Sequence, residues 1–283
     1  IDACLVGSEM CIRDSHKDCI LGIGTGSTAN FFIQELANQK PEIKAIVSSS
    51  VASSNLLEEA GLEVSELNDV GSPDFYVDGA DEINDRFEMV KGGGGALTRE
   101  KIIASASKKF ICICDSSKKV KLLGKFPIAI EVIPMARSYV ARQIVVKGGT
   151  PEYRVGFVSD NGNQIIDVRN LKLNVPYDFE NEINNIPGVV ANGIFAARKA
   201  DCLIIDKNGI PEILELTLLL FLRNWFLSNY LNSGYILILL VSKNLIIFLV
   251  QIKIVQEKLF LKIGIFILTL PGTNPFLKEL EDL

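Results

Sequence analysis

Residues 19–38 read CILGIGTGSTANFFIQELAN, which is an apolar run, a glycine-rich turn and a stretch with helical spacing. The run Cys19–Ile23 predicts a short buried strand, and Thr28–Asn38 places its apolar side chains on one face of a helix. A strand, a tight turn and a helix in immediate succession are typical of an α/β unit with parallel strands.

The same alternation continues along the chain. Further strands are predicted at Ala45–Val47, Asp74–Val77 and Phe110–Cys114, and further helices at Val51–Ala60, which stops at Gly61, and at Ala96–Ser107. We therefore expect an α/β fold with a Rossmann-like, doubly wound, mostly parallel sheet.

The pattern changes after Phe126-Pro127. A smaller α+β domain is indicated by apolar segments at Ile128–Val132, Ala136–Val146, Tyr153–Val158 and Ile165–Val168, a hairpin turn at 160–163 and a helix at Phe179–Asn185. The strand Ala200–Ile205 is expected to rejoin the first sheet. The predicted division is therefore 17–126 plus 200–215 for the Rossmann-like domain and 127–199 for the inserted domain.

Composition excludes several classes of protein. The chain has 283 residues, of which 48% are apolar, with a net charge of −5 and a pI near 5.2. That apolar content excludes a disordered chain, and the acidic balance argues against a nucleic acid partner. The single histidine, His16, excludes a multi-histidine metal site. The mean hydropathy of +0.28 is high for a soluble α/β protein, so its source matters.

The excess hydropathy lies in residues 216–283, where 40 of 68 residues are apolar and none is alanine, against 17 alanines before them. A membrane anchor is one interpretation, but the uncharged window Asn224–Ser242 is interrupted by polar residues. A packed helical or strand appendage is the second. Translation of AT-rich non-coding sequence is the third, and we favour it, so we expect this tail to lie outside the fold and no membrane partner.

The amino-terminal segment also differs from the rest of the chain. Residues 4–15 read CLVGSEMCIRDS, which resembles a translated sequencing adapter and has no apolar stretch of signal-peptide length. We interpret residues 1–16 as artefactual. Of the cysteines outside this segment, Cys112 and Cys114 alternate along one strand with a spacing that is poor for zinc. We expect buried free thiols, a reducing compartment and a cytoplasmic location.

Three polar loops carry the chemistry, and each is expected to follow a strand at the carboxyl edge of the sheet. The first is GIGTGST, residues 22–28, whose turn and helix start suit a phosphate group. It matches neither the dinucleotide-binding glycine pattern nor the nucleotide-binding loop that ends in lysine, so a sugar phosphate fits better.

The second and third loops contain the charged residues. Asp78 and Asp81 lie three residues apart in DGADEI, so that both aim at one place; the alternative is a helix start capped by Asp78. Lys91 precedes four glycines, which allow a ligand to approach the backbone closely, and suits developing negative charge. Glu100 lies about one turn into the next helix; the alternative is a solvated charged face shared with Arg99 and Lys101.

Together these loops resemble the type A ribose-5-phosphate isomerase family. The resemblance rests on GIGTGSTA (22–29), DGADEI (78–83) and KGGGGALTREKI (91–102) and continues through CDSSK (114–118), GKFP (124–127), VIPMA (132–136), PEYR (151–154) and IPGVV (186–190). It covers roughly residues 18–214, or 70% of the chain. The helix that precedes the first loop, residues 22–28, in the family has no counterpart here, and the tail departs from the family pattern.

The resemblance implies interconversion of D-ribose 5-phosphate and D-ribulose 5-phosphate, a step of the non-oxidative pentose phosphate pathway. The reaction runs through an enediolate, without metal or organic cofactor, in a homodimer or higher homo-oligomer. Family matching makes Glu100 the base, Asp78 and Asp81 the contacts to sugar hydroxyls, and Lys91 the cation for the enediolate. Substrate-binding positions carried over in the same way are Thr25, Gly26, Ser27, Thr28, Gly79, Ala80, Gly92, Gly93 and Gly94, with Lys118 near the phosphate.

Two alternatives to an enzyme stay open at this point. A non-catalytic sugar-phosphate sensor could use the same sheet, but such regulators usually carry a helix-turn-helix, which neither terminus supplies. A chimera that fails to fold is the other, because the apolar tail threatens solubility. The complete set of Asp78, Asp81, Lys91 and Glu100 favours an enzyme.

Overall fold

The computed structural model describes residues 18–207 and 210–215, together with the backbone of three later strands. The strands are β1 (Ile20–Ile23), β2 (Ala45–Ser48), β3 (Phe75–Asp78), β4 (Glu82–Ile83), β5 (Met89–Val90), β6 (Lys109–Cys114), β7 (Ile128–Val132), β8 (Thr150–Tyr153), β9 (Gln164–Arg169), β10 (Val189–Asn192), β11 (Ile194–Phe195), β12 (Cys202–Lys207) and β13 (Ile210–Glu215). The helices are α1 (Ser27–Gln39), α2 (Val51–Glu59), α3 (Leu67–Val70), α4 (Leu97–Ala106), α5 (Arg137–Val146) and α6 (Pro176–Asn184), with 3-10 turns at Ser116–Lys118 and Pro134–Ala136.

The large sheet is doubly wound and mostly parallel, as predicted. Its strand order is β13-β12-β6-β3-β1-β2, and only the β12–β13 pair is antiparallel. The chain returns to this sheet through β12, which lies parallel to β6, as expected for Ala200–Ile205.

Alternation along each strand builds a core on both faces of this sheet. On β6, Ile111 and Ile113 pack with the apolar face of α1, whereas Cys112 and Cys114 face the opposite side with Tyr76. The predicted placement of both thiols on one strand face is therefore confirmed. All four cysteines in the described part of the chain, including Cys19 and Cys202, are buried thiols that form no disulfide.

Two antiparallel sheets accompany the large one. Strands β10-β7-β9-β8 form a four-stranded sheet with its own apolar core beneath α5 and α6, and β11-β5-β4 form a three-stranded sheet. Strand β8 ends at Tyr153 rather than continuing toward Val158, because the chain turns at Val155-Gly156, where Gly156 has a φ of 76°. The boundaries 126/127 and 199/200 stay predictions, since both sheets belong to one compact unit that ends at Leu216.

The tail forms a separate unit, residues 217–283. Its described parts are β14 (Tyr235–Val241), β15 (Ile247–Val255) and β16 (Lys258–Phe266), paired in an antiparallel meander. Within the described residues, no helix has the length and apolar character needed to cross a membrane. The artefactual interpretation of residues 1–16 lies outside the described residues, and the non-coding origin of the tail stays a prediction.

Candidate active site

The predicted loops line one cavity of about 160 Å³. It is lined by Thr25, Gly26, Ser27, Thr28, Gly79, Ala80, Asp81, Lys91, Gly92, Gly93, Gly94, Glu100 and Lys118. These are the predicted site residues except Asp78, which lies buried and bonded to Lys91. The residues that the sequence motifs single out therefore lie together around one cavity.

The expectation that all three loops follow strands of the large sheet is wrong for the third. The first two leave the carboxyl ends of β1 and β3, but Lys91 follows β5, which belongs to the three-stranded sheet. A β4–β5 hairpin separates the second loop from the third and returns the chain to the cavity. Lys118 instead comes from the 3-10 turn that follows β6, a third parallel strand.

The first loop is packed directly against Asp78. A Cβ atom on Gly24 would lie 2.0 Å from the Asp78 carboxyl, so only glycine fits there. The Thr25 N–H donates to Asp78 Oδ1 (3.2 Å), while the Thr25 hydroxyl lies 2.6 Å from Ser50 Oγ. That hydroxyl is therefore engaged within the protein, and exposed Ser27 at the start of α1 is more accessible to a ligand.

Asp78 accepts hydrogen bonds from several directions at the end of β3. Tyr76 Oη donates to Asp78 Oδ2 at 2.5 Å, the Gly79 N–H donates to Oδ1 at 2.7 Å, and Lys91 Nζ lies 2.7 Å from Oδ2. No helix begins here, because residues 79–81 form a loop that continues into strand β4. The helix-cap alternative for Asp78 is therefore wrong.

Asp81 is hydrogen-bonded to the glycine loop, residues 92–95. Asp81 Oδ2 accepts the Gly93 N–H at 2.8 Å, and a Cβ atom on Gly93 would lie 2.8 Å from Asp81 Oδ1. The Gly93 N–H is therefore already bonded to a carboxylate. At this predicted substrate-binding position, the backbone N–H acts on Asp81.

Lys91 is buried among acceptors. Its Nζ lies 2.7 Å from Asp78 Oδ2 and 3.4 Å from Glu100 Oε2, and it donates to the Gly79 carbonyl at 2.7 Å. Burial lowers the pKa of Lys91, but the carboxylates of Asp78 and Glu100 raise it by more, so its pKa lies above the usual value. Lys91 is therefore a permanent cation on the cavity wall.

Glu100 is buried on α4 with only 4% of its surface exposed, so the alternative of a solvated charged face is wrong. Its neighbours point elsewhere: Arg99 donates to Asn161, and Lys101 pairs with Glu180. Glu100 Oε2 makes no hydrogen bond among the described residues. Burial raises the pKa of Glu100 to about 8 although Lys91 opposes the shift. A buried carboxylate oxygen without a hydrogen bond calls for a functional explanation.

The described residues contain no group of three or more His, Cys, Asp or Glu side chains that could hold a metal ion. The cavity is lined by two carboxylates, two lysines and backbone N–H groups, with the Asp78 carboxylate buried beside Lys91. Such a set can move a proton and stabilise an oxyanion.

Sequence reasoning missed two residues at this site. Tyr76 stands two residues before Asp78 on β3, so strand alternation placed both on one face and could have identified it. Arg154 belongs to the PEYR motif, which by itself indicates no role for it, yet its guanidinium donates to the carbonyl groups of Gly92 and Gly93. No local pattern links positions about 60 residues apart in the chain.

Comparison with known proteins places the chain in a family. Residues 45–209 match the family model of ribose 5-phosphate isomerase A, also called phosphoriboisomerase A. Ribose-5-phosphate isomerase A of Legionella pneumophila strain Corby is 60% identical over 199 residues, which are 70% of this chain and 92% of that protein.

Solved structures agree with this match. The crystal structure of ribose 5 phosphate isomerase A from Neisseria gonorrhoeae superposes with a TM-score of 0.73 at 45% identity, covering 75% of this chain and 96% of that one. A D-ribose-5-phosphate isomerase in complex with phospho-erythronic acid gives 0.72 at 34% identity, covering 75% and 97%. The chain belongs to the ribose 5-phosphate isomerase A family.

Proposed function

We propose that this protein interconverts D-ribose 5-phosphate and D-ribulose 5-phosphate, with Glu100 as the base that moves the proton between C2 and C1. Family membership supports the reaction. The observation that carries the residue assignment is the buried Glu100 oxygen that makes no hydrogen bond within the described residues, beside the Lys91 ammonium. A buried carboxylate oxygen that accepts no hydrogen bond has a lone pair available for a proton.

The proposed steps balance without an external oxidant or reductant. Glu100 removes the C2 proton of the open-chain aldose, the C–H electron pair forms the C1–C2 double bond, and the carbonyl oxygen becomes an oxyanion. A proton then passes from O2 to O1, and Glu100 returns its proton to C1 as the C2 carbonyl forms. One carboxylate therefore acts first as base and then as acid.

The other charged groups act on the oxygens of the substrate. Lys91 stabilises the negative charge of the enediolate, because a fixed, buried cation interacts strongly with a developing oxyanion. Asp81, which lines the cavity, contacts the sugar hydroxyls and carries protons between them, whereas buried Asp78 holds the Lys91 ammonium in place. The start of α1, with Ser27 and Thr28, and the ammonium of Lys118 hold the phosphate.

Glu100→Gln tests the assignment. The amide keeps the size of the side chain but cannot accept the proton, so kcat for ribose 5-phosphate isomerisation should fall about 10³-fold, within the usual range for a general base. Binding of phospho-erythronic acid, measured by calorimetry, should change less than about threefold. Glu58→Gln, at an exposed position on α2, is the matched control and should keep wild-type kcat. A Glu100→Gln enzyme with near-normal kcat would refute the assignment.

Assembly and location belong to the same proposal. A homodimer or higher homo-oligomer is supported by large apolar side chains that are exposed in this chain, among them Met135 (96% exposed) and Val146 (83%). Light scattering at micromolar concentration should give at least twice the mass of the chain, and a monomer would contradict the proposal. A cytoplasmic location is supported by the buried cysteines of the described residues, which form no disulfide, and imaging of the tagged protein tests it.

A further inference from the structure

The glycine loop that follows Lys91 is held from two sides. On one side the Asp81 carboxylate accepts the Gly93 N–H. On the other, Arg154 donates to the Gly92 carbonyl through Nη2 and to the Gly93 carbonyl through Nη1, both at 3.2 Å. Arg154 immediately follows β8 of the four-stranded sheet, whereas the loop follows β5 of the three-stranded sheet. The contact therefore joins the loop to a second sheet.

Arg154 is itself fixed by a second residue of that sheet. Asp167 on β9 accepts from Arg154 Nε at 2.8 Å and from Nη2 at 2.5 Å, a bidentate pair whose side chains are about one-fifth exposed. The Arg154 backbone N–H donates to the Ile165 carbonyl, and the Phe157 ring lies 5.3 Å from the guanidinium. The guanidinium therefore has one defined position in which to meet the loop.

These contacts act on the N–H groups of the loop. The Gly92 carbonyl shares a peptide with the Gly93 N–H, and the Gly93 carbonyl shares one with the Gly94 N–H. A cation bonded to a carbonyl oxygen polarises its peptide and makes the attached N–H a stronger donor. The Gly93 N–H acts on Asp81, whereas the Gly94 N–H has no acceptor within the described part of the chain, and Gly94 lines the cavity.

We propose that Arg154 and Asp167 are positioning residues for the isomerase reaction. They hold the glycine loop so that the Gly94 N–H faces the oxygen on which negative charge develops, while the Asp81 carboxylate stays beside the sugar hydroxyls. Neither touches the substrate in this scheme. The inference rests on the proposed function, because an oxyanion must form at the cavity for the loop donors to matter.

Arg154→Ala is the principal test. Because the loop donors act on charge that develops during the reaction, kcat should fall about 10- to 100-fold while KM for ribose 5-phosphate changes less than about threefold. Guanidinium added at millimolar concentration should restore part of the lost kcat, since a small cation can occupy the vacated position. Arg154→Lys should lose an intermediate amount, because a single ammonium cannot reproduce the fork that spans both carbonyls.

Two further variants separate positioning from folding. Asp167→Asn keeps the size of the side chain but removes its charge and one of the two oxygens that accept from Arg154, so it should lower kcat several-fold with Arg154 still present. Arg169→Ala is the matched control: Arg169 is an exposed cation on the same strand that pairs with exposed Glu152 at 3.7 Å, and kcat should stay within twofold.

The outcomes distinguish this proposal from the proposed function. A wild-type protein without isomerase activity would refute the function itself. An active wild-type protein whose Arg154→Ala variant keeps kcat within twofold would refute the positioning role alone. Loss of kcat without rescue by guanidinium, together with a lowered melting temperature in both Arg154→Ala and Asp167→Asn, would assign the pair a structural role and also refute it.

Discussion

At the scale of one residue, two opposed effects set the pKa of Glu100. Burial disfavours its carboxylate, and the nearby carboxylate of Asp78 adds to that effect, whereas the Lys91 ammonium favours the charged form. Burial prevails, and the pKa of Glu100 is raised to about 8. A base with a pKa near the working pH combines a useful ionised fraction with enough basicity to attack a C–H bond.

The pH profile of the reaction depends on this shift. Because only ionised Glu100 can accept the C2 proton, kcat/KM should rise with pH, by a factor that approaches tenfold per unit well below pH 8, and should level off above pH 8. Steady-state rates between pH 6.5 and 9.5 measure this dependence. A phosphate monoester, with its second pKa near 6, is mostly a dianion in that range, so its titration contributes little to the profile. A profile that is flat across that range would show that Glu100 does not titrate there.

At the scale of elements, Glu131 joins β7 to the start of α4. It is fully buried and accepts hydrogen bonds from Thr98 on α4, from Ser159 at 2.7 Å and from Asn163 at 2.8 Å. Asn161 also donates to Glu131 and accepts from Arg99, so the turn at 159–163 is bonded to both elements. Thr98 stands two residues before Glu100, and this network therefore fixes the helix that carries the base.

Glu131→Gln should destabilise the protein strongly. The amide has the same size, but its NH₂ group would face donors, and charge-assisted hydrogen bonds would be lost, so the free energy of unfolding should fall by about 3 kcal/mol. Urea unfolding followed by circular dichroism measures the change. Glu152→Gln, at an exposed position on β8, is the control and should stay within about 0.5 kcal/mol. Equal stabilities of the two variants would contradict the role of the network.

The same elements explain what the sequence could and could not predict. Strand and helix periodicity identified β1, α1, β3 and β6, because one face or both faces of each are buried in a regular pattern. The β4–β5 hairpin was not predicted, since each strand has only two residues and its pairing with β11 joins positions about a hundred residues apart. The contacts of Arg154 and Glu131 could not be predicted for the same reason, because polar pairs between distant positions leave no local periodicity in the sequence.

At the scale of the whole molecule, the site and the tail belong to different units. All cavity residues lie between Thr25 and Lys118, and the compact unit that contains them ends at Leu216. Strand β13 is the last part of the large sheet, and it pairs along its whole length with β12. The activity should therefore require β13 and be independent of residues 217–283.

Two truncations test this division. A chain that ends at Leu216 should keep kcat within about twofold of the full chain, because no cavity residue and no strand of the large sheet is removed. A chain that ends at Lys207 should lose activity and cooperative unfolding, because it deprives β12 of its antiparallel partner and uncovers buried Leu203 and Ile205. Isomerase assays and thermal melts on both proteins measure this. If the chain that ends at Leu216 failed to fold, residues 217–283 would be needed to stabilise the catalytic unit. That result would contradict their interpretation as a non-coding addition.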